Sequence, residues 1–568
     1  MREHPERERL ARLVADATAD VAREAMTSFP LPGGVITLGD CEGILAEATF
    51  GFANLEHQVP MTAACRFEIG SVSKVFLSLV INRLIEDGRL DLDECVAPIV
   101  PWAGLEGRDA AVTVMQLLTH TSGLFVGADT LPDDPGEIWN SRHARGTSSE
   151  EVRFHYSNYG YLLLGEVARA RAGKPVAQLV REQWLEPLGM CDSLAAVAQF
   201  EHTEFATGYW PARPDRPWVP GDALAPATWF EIDSASGNVV STSGDMARFM
   251  KALLDASAPE NRSDSVLGHE TFTRMTTILA PTGEPTYVVE GVRAVEESRY
   301  GLGINVERIE GNLCVSHGGG MVGYSTFMLV DVSAGVGVSV LTNANGDTLA
   351  SHILARIAHS DLVNRLEGVG PLKRVRLDAT VLAHETGDIP GGAHLGSFVG
   401  DDEEAFEVSG APGAPVVVRY EGATGTLYLM AGGRYVTDHP ALRRFHLDWH
   451  ATPAFEGWTY GATSFRLAGV TAVARAVTPN PLVGHYRSFS PWFPEFRVIE
   501  RAGRLMMVAP GGVEGPDEEM ELVEVSPGEY RIGGDPWLPE RLVEGARRDG
   551  EVIWLSRDGC VYSRSFSP

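Results

Sequence analysis

The first 26 residues, MREHPERERLARLVADATADVAREAM, space their apolar positions at helical period and predict an amphipathic helix. Between Gly33 and Phe52 the period shortens. The β-rich runs VITL and ILAEATF flank Gly39-Asp40-Cys41-Glu42-Gly43, which predicts a hairpin. From Ser71 to about Asp255 the pattern is mainly helical. VFLSLVINRLIEDG is apolar nearly all round, as a buried central helix should be, and stops at Gly88; Leu162–Arg171 and Met246–Leu254 are further helices. Strand patterns return at Tyr300–Val306, Leu313–Ser316, Ser325–Val330 and Gly337–Leu341, the last two joined by a turn at Ser333-Ala334-Gly335. Strands at both ends of a helical block predict one α+β domain over residues 1–365, its antiparallel sheet closed by the two ends of the segment.

Beyond His394 short alternating runs such as PVVVRY, TLYLM, SFRLAG and EVIWLS are broken every ten residues or so by Gly, Pro and Asp, the pattern of small antiparallel barrels. His394-Leu395-Gly396-Ser397-Phe398 and Leu482-Val483-Gly484-His485-Tyr486 each open a module, and GATGTLYLM has the form of RAGRLMMV. Two β-barrel modules, 380–478 and 479–568, follow from this. Their aromatics Trp492, Phe493, Trp537 and Trp554 are expected in barrel cores more than around a ligand.

Composition narrows the function. With 568 residues, 44% hydrophobic and 22% charged, the chain has ordinary globular proportions and room for two to four domains. Its 47 Lys+Arg against 76 Asp+Glu give a net charge of −29, and no basic stripe runs through it, so neither nucleic acid nor an anionic membrane is an expected partner. The N-terminus is charged from its second residue and carries no apolar run of signal or anchor length, so a cytoplasmic location is expected. The six cysteines are scattered, without C-x-x-C, and read as reduced, mostly buried thiols. No cluster of His, Cys and carboxylates shows metal-ligand spacing, so neither metal nor cofactor is expected.

Three short motifs carry candidate chemistry. Ser71-Val72-Ser73-Lys74 is the only S-x-x-K, at the start of the buried helix; positions three apart share a helix face, so Lys74 Nζ can reach Ser71 Oγ. Burial should favour the neutral amine, which can act as base. Tyr156-Ser157-Asn158 is the only Y-x-N: a tyrosine near a lysine can move a proton, and Asn158 can orient a substrate carbonyl. Alone, these pairs read first as a helix cap and a packed loop. His317-Gly318-Gly319-Gly320 follows a strand, and glycines there leave a strand edge bare for a substrate backbone. The same stretch spells Gly318-x-Gly320-x-x-Gly323, but the strand-like YSTFMLVDV after it, where a dinucleotide site needs a helix, excludes nucleotide binding. No G-x-S-x-G, H-E-x-x-H or Walker loop is present.

In this order, about 85 and 160 residues apart, the three motifs resemble those of the penicillin-recognising serine hydrolases (class C β-lactamases, D,D-peptidases, D-aminopeptidases and esterases), over about residues 30 to 350. PGGVITLGD, FEIGSVSK, QLLTHTSGL, HYSNYGYLLLGEV and STSGDMARFM resemble the family's structural punctuation. The resemblance implies a β-lactamase/transpeptidase-like fold with Ser71 as nucleophile, Lys74 and Tyr156 as proton carriers, and an oxyanion hole from the N–H groups of Ser71 and Gly320. It also implies that Asn158, His317, Gly318, Gly319 and Gly320 bind substrate. In that family His120 and Ser122 belong to scaffold, and His155 reads as a loop residue. The third motif usually begins with lysine; His317 in its place attracts a substrate carboxylate less. With the two C-terminal modules, this is most like the D-aminopeptidase branch, whose accessory barrels resemble lipocalins. The expected substrate is a small amide or peptide, cleaved by a D-stereospecific aminopeptidase or amidase. A carboxylesterase or acyltransferase with the same machinery, or a catalytically silent ligand-binding protein, is the alternative, and a homo-oligomer stays open.

Overall fold

The computed structural model describes residues 4–564 except 128–130, 132, 198–203, 214, 259–264, 287–288, 347, 374, 376–385, 388–393, 401–402, 412–413, 431–432, 452–454, 470–479, 502, 510–512 and 514–518. The boundaries expected at 380 and at 478/479 therefore lie outside the described residues.

The expected hairpin forms from β1 (Gly33–Asp40) and β2 (Gly43–Asn54), with Asp40 opposite Gly43. The second half of the sheet comprises β3 (Val295–Tyr300), β4 (Asn305–Ile309), β5 (Asn312–Met321), β6 (Tyr324–Asp331) and β7 (Val336–Thr342). β1 pairs antiparallel with both β2 and β7, so the two ends of the segment do close one sheet; the short strand Val59–Pro60 adds the eighth member at its edge. Tyr300–Val306 is not one strand. Gly301 N donates to Ile304 O at 2.8 Å and Gly303 has φ +79°, so a turn separates β3 from β4 and rests on the central helix, where a Cβ on Gly303 would meet Ser78.

Helices cover both faces. The N-terminal helix α1 (His4–Ala25) buries Leu10, Ala11, Val14, Ala15, Thr18, Ala19 and Ala22, one stripe at helical period, against β2. Beside it lies α5 (Ala350–Glu367), which the hydrophobic pattern did not announce. This helix is buried on most sides and carries polar residues inward. Arg356 forms a two-pronged ion pair with Glu307 at 2.8 and 2.9 Å, and His359 meets Asp331 at 2.9 Å, so apolar and polar positions do not segregate along it. The opposite face holds the helical block: α2 (Ser73–Glu86), α3 (Asn158–Ala172) and α4 (Ser243–Ser257). Every α2 residue from Ser73 to Asn82 is buried, as its uniformly apolar sequence predicts.

The tail forms two closed eight-stranded antiparallel barrels. The first runs from Gly396–Val399 to Thr463–Leu467, which pair with each other; the second runs from Gly484–Arg487 to Cys560–Arg564 and closes the same way. The two opening motifs occupy equivalent first strands, whereas GATGTLYLM lies on the fourth strand of its barrel and RLMMV on the third. Only the first half of the suspected repeat is thus structurally equivalent. All six cysteines are free, but only Cys314 and Cys560 are buried, which corrects the expectation of mostly buried thiols.

Candidate active site

Ser71 sits in a single turn of tight helix, residues 70–72, that leads into α2. Gly70 enters it at φ +53°, and a Cβ there would lie 2.7 Å from the carbonyl oxygen of Gly320; one on Gly319 would lie 1.9 Å from that of Ile69. Only glycine lets the nucleophile turn and strand β5 come this close. The approach is held by Ile69 N donating to Val239 O (3.0 Å) and Thr326 Oγ1 donating to Ile69 O (3.0 Å).

Lys74 Nζ donates to Ser71 Oγ at 2.8 Å and to Ser236 O at 2.9 Å, and the side chain has no solvent-accessible surface. It lies 5.0 Å from the centre of the Tyr156 ring and 5.6 Å from that of Tyr161. Ser157 fixes the Y-x-N loop. It caps α3 by accepting from Gly160 N, donates from Oγ to Phe125 O at 2.7 Å, and donates from its N–H to His120 Nδ1 at 3.0 Å. Asn158, the first residue of α3, is buried and lines the same cleft as Ser71, Ser236, Gly320 and Met321.

His120, expected as scaffold, stands directly behind Tyr156. Its ring is 4.3 Å from the Tyr156 ring, its backbone is left-handed (φ +54°), and its Nε2 is buried without a hydrogen-bond partner among the described residues. Burial, followed by Lys74, His317 and His155, holds its pKa well below the ordinary histidine value, so it is neutral. A non-glycine residue in the left-handed region of a site is strain held by its surroundings.

His317 has no accessible surface either. Its Nδ1–H donates to Gly318 O at 2.6 Å, which leaves Nε2 to accept from the Tyr300 hydroxyl at 2.7 Å. Burial lowers its pKa to about 3, against the opposing hydrogen bond to the Gly318 carbonyl, so no cation stands where the family usually places lysine. β5 pairs with β4 only as far as Ser316, opposite Asn305, whereas its pairing with β6 continues to Met321. The edge of β5 past His317 is therefore unpaired on the side of β4, as the glycine run suggests. Gly318 faces the other way, onto His352 of α5.

The cleft at Ser71 offers only about 30 Å3, with Leu131, Ile232, Met321 and Trp492 as its apolar walls. Trp492 comes from the second barrel. It packs 4.7 Å from Phe230 and belongs to the core of the hydrolase segment, which corrects its expected place in a barrel core; Phe493 beside it is in the barrel core as expected. Val513, whose N–H donates to Trp492 O at 2.6 Å, presses on Gly320 and Gly346. Trp537 is likewise interfacial, donating from Nε1 to Glu151 O at 2.9 Å. Next to it His155 Nε2 meets Glu540 Oε1 at 2.7 Å and Arg153 pairs with Asp535 at 2.7 Å. No local signal in the sequence marks these barrel residues.

Among the described residues one group of candidate metal ligands assembles in space, Cys314, Asp331 and His359. Its members lie on two strands and a helix, so no ligand spacing betrays them. Asp331 is already bonded to His359, to Asn312 Nδ2 (2.8 Å) and to Ala334 N (2.7 Å), so the group reads as a closed structural network.

A sheet between two helical layers, with a serine and a lysine joined where the central helix starts, defines a β-lactamase/transpeptidase-like serine hydrolase fold. The chain belongs to the Beta-lactamase family, whose model matches residues 18–361. "Protein flp" of Staphylococcus aureus (strain MW2) is 24% identical over 343 residues, covering 58% of this chain and 64% of that protein. The chain thus spans slightly less than two thirds of the curated relatives it matches first. Among solved structures, the octameric penicillin-binding protein homologue from Pyrococcus abyssi is similar over 87% of this chain and 98% of its own, at 21% identity and TM-score 0.53. The D-amino acid amidase from Ochrobactrum anthropi SV3, complexed with L-phenylalanine amide, is similar over 63% of this chain and 99% of its own, at 22% identity and TM-score 0.51. No helix among the described residues is long and apolar enough to cross a membrane.

Proposed function

We propose that the protein is a serine hydrolase that forms an acyl-enzyme at Ser71 and cleaves small amides or peptides, as a D-stereospecific aminopeptidase or amidase. The observation that carries this reading is the 2.8 Å contact between Lys74 Nζ and Ser71 Oγ, with Tyr156 against the same amine. In the neutral form Lys74 takes the Ser71 proton as Oγ attacks the substrate carbonyl carbon. The N–H groups of Ser71 and Gly320 hold the oxyanion. When the C–N bond breaks, the departing amine receives a proton through Tyr156, and water then releases the acyl group by the same steps in reverse roles. Asn158 orients the acyl side, and the unpaired edge of β5 at Gly318–Gly320 receives the substrate backbone.

Three features support a small, carboxylate-poor substrate: the narrow cleft, the neutral His317 and the acidic chain. A D-amino acid amidase among the proteins of similar fold supports the amide reading, and an octamer among them supports a homo-oligomer here. The apolar walls Leu131, Ile232 and Met321 favour a second reading, a carboxylesterase or acyltransferase with the same residues.

Turnover of D-alanine and L-alanine p-nitroanilides should be compared with that of p-nitrophenyl butyrate, after locating a fluorophosphonate adduct by mass spectrometry. Labelled Ser71 with preference for the D-anilide is the expected result. Ester-only turnover replaces the amidase with the esterase. An unlabelled Ser71, with Ser71→Ala changing no hydrolysis, leaves a silent binding protein.

A further inference from the structure

A second cavity, of about 360 Å3, shares no lining residue with the Ser71 cleft. Its floor is Glu68, on the two-residue strand Phe67–Glu68 that pairs with Val240–Ser241. Trp229, Tyr324 and Val322 form walls, and the exposed Glu56 and His57 stand at the mouth. The volume suits a small organic molecule.

Glu68 is the unusual member. It is only 6% exposed, faces the cavity, and has neither hydrogen bond nor ion pair among the described residues. Buried carboxyl groups are normally paired, because an unpaired one forfeits its hydration without return. Two hydroxyls nearby are occupied: the Tyr324 hydroxyl donates to Ala206 O at 2.7 Å, and Tyr209 donates its hydroxyl proton to Glu56. Among the described residues no lysine or arginine lines the space. A carboxyl floor with an indole and a phenol as walls is the combination that holds a cation with an organic body. A bare metal ion would instead need several oxygen ligands at close range, and Glu68 is the single carboxyl at the floor.

We propose that the Glu68 cavity is a second binding site, separate from the Ser71 cleft, for a small organic ammonium ion. The proposal stands independently of the hydrolase reading. Burial alone pushes the Glu68 carboxyl up to about 8, so the empty site holds a neutral acid at pH 7. The titratable groups that line the cavity with it are Glu56 and His57 at the mouth and the Tyr324 phenol on the wall. An arriving ammonium ion favours the carboxylate, and the Glu68 proton leaves to solvent: neutral acid plus cation gives an ion pair plus one released proton.

The test is calorimetric titration of the full chain with benzyltrimethylammonium chloride, whose charge does not depend on pH, in buffers of different ionisation enthalpy. Expected are one site per chain and release of most of one proton at pH 7, shrinking as the pH is raised well above about 8. Glu68→Gln should weaken binding at least tenfold, by loss of a charge-assisted contact, and abolish the proton release. Fluorophosphonate at Ser71 should leave both unchanged, which separates this site from the cleft. Absence of binding at about 10 mM, binding without proton release, or binding that survives Glu68→Gln overturns the proposal. Should that variant not fold, the proton count of the unsubstituted protein decides.

Discussion

Glu540, immediately before a strand of the second barrel, lies 2.7 Å from Nε2 of His155, the residue that precedes Tyr156. The same carboxylate accepts from Val126 N at 3.2 Å, and the His155 N–H donates to His120 O at 2.8 Å. A barrel that hydrolysis does not in principle require thus grips the loop carrying the proposed proton carrier. Burial would raise the Glu540 pKa, but the hydrogen bond and charge of His155 outweigh it and hold it below the usual carboxylate value.

Glu540→Ala should therefore destabilise the chain by about 2–4 kcal/mol, since it strands His155 and the Val126 N–H. It should also lower kcat more than it changes KM, with Glu540→Gln in between. Urea unfolding and steady-state kinetics on one anilide check both; loss of stability at unchanged kcat would reduce the contact to a structural brace.

Removing either member of the central pair should abolish acylation. Lys74→Ala and Ser71→Ala are each expected to lower kcat/KM by at least about a thousandfold, roughly 4 kcal/mol in barrier, and their double variant by little more, because the two act as a unit. Burst kinetics with p-nitrophenyl butyrate reads the acylation step.

Trp492→Ala should widen the cleft from the barrel side. Truncating a buried tryptophan costs about 3–5 kcal/mol, so a lower melting temperature is expected, together with a rise in kcat/KM for bulky acyl groups relative to acetyl. An unchanged ratio across an acyl series would show that Trp492 does not limit the pocket.

Gly319→Ala places a methyl group 1.9 Å from the Ile69 carbonyl oxygen, inside any allowed contact. Strand β5 must move away from the nucleophile turn. Activity should fall at least a hundredfold, about 2.7 kcal/mol, as when one oxyanion donor is lost, whereas Gly335→Ala, at an open turn, should leave the rate alone.

His317 bears on stability against pH. Its folded pKa of about 3 lies below the unfolded value, so between these limits the unfolded chain binds the extra proton and stability falls as pH falls. His317→Gln should remove about 1.4 kcal/mol per pH unit from the acid slope between roughly pH 4 and 6. Urea unfolding at several pH values reads the slope; an identical slope in the variant would mean that this imidazole charges in the folded state.

Much of the fold was legible because it is local. The hairpin at Gly39–Gly43, the uniformly apolar α2 and the alternating tail each follow from neighbouring residues and a single period. Helix α5 was not, because Arg356 and His359 point inward to partners on the sheet and blur the period. The break at Gly301–Ile304 needed the packing of that turn on Ser78. Within the site, Ser71 and Lys74 are three residues apart on one helical face, so their contact was readable. That His317 would turn inward to Tyr300 was not, since register and facing depend on the pairing of β5 with β4.

The sequence by itself singled out the candidates for the proposed chemistry: a serine and lysine one helical turn apart, a tyrosine on the loop before a helix, and a glycine-rich strand edge. Those follow from backbone geometry over a few residues. Only the tertiary structure decided what surrounds them: Trp492 reaches the cleft, Val513 packs on Gly320, Glu540 holds His155 from 385 residues away, and the Glu68 carboxyl loses its water without gaining a partner among the described residues. The reason is physical. Burial and charge pairing depend on which surfaces dock, and no period or spacing in the chain encodes a contact between segments that far apart.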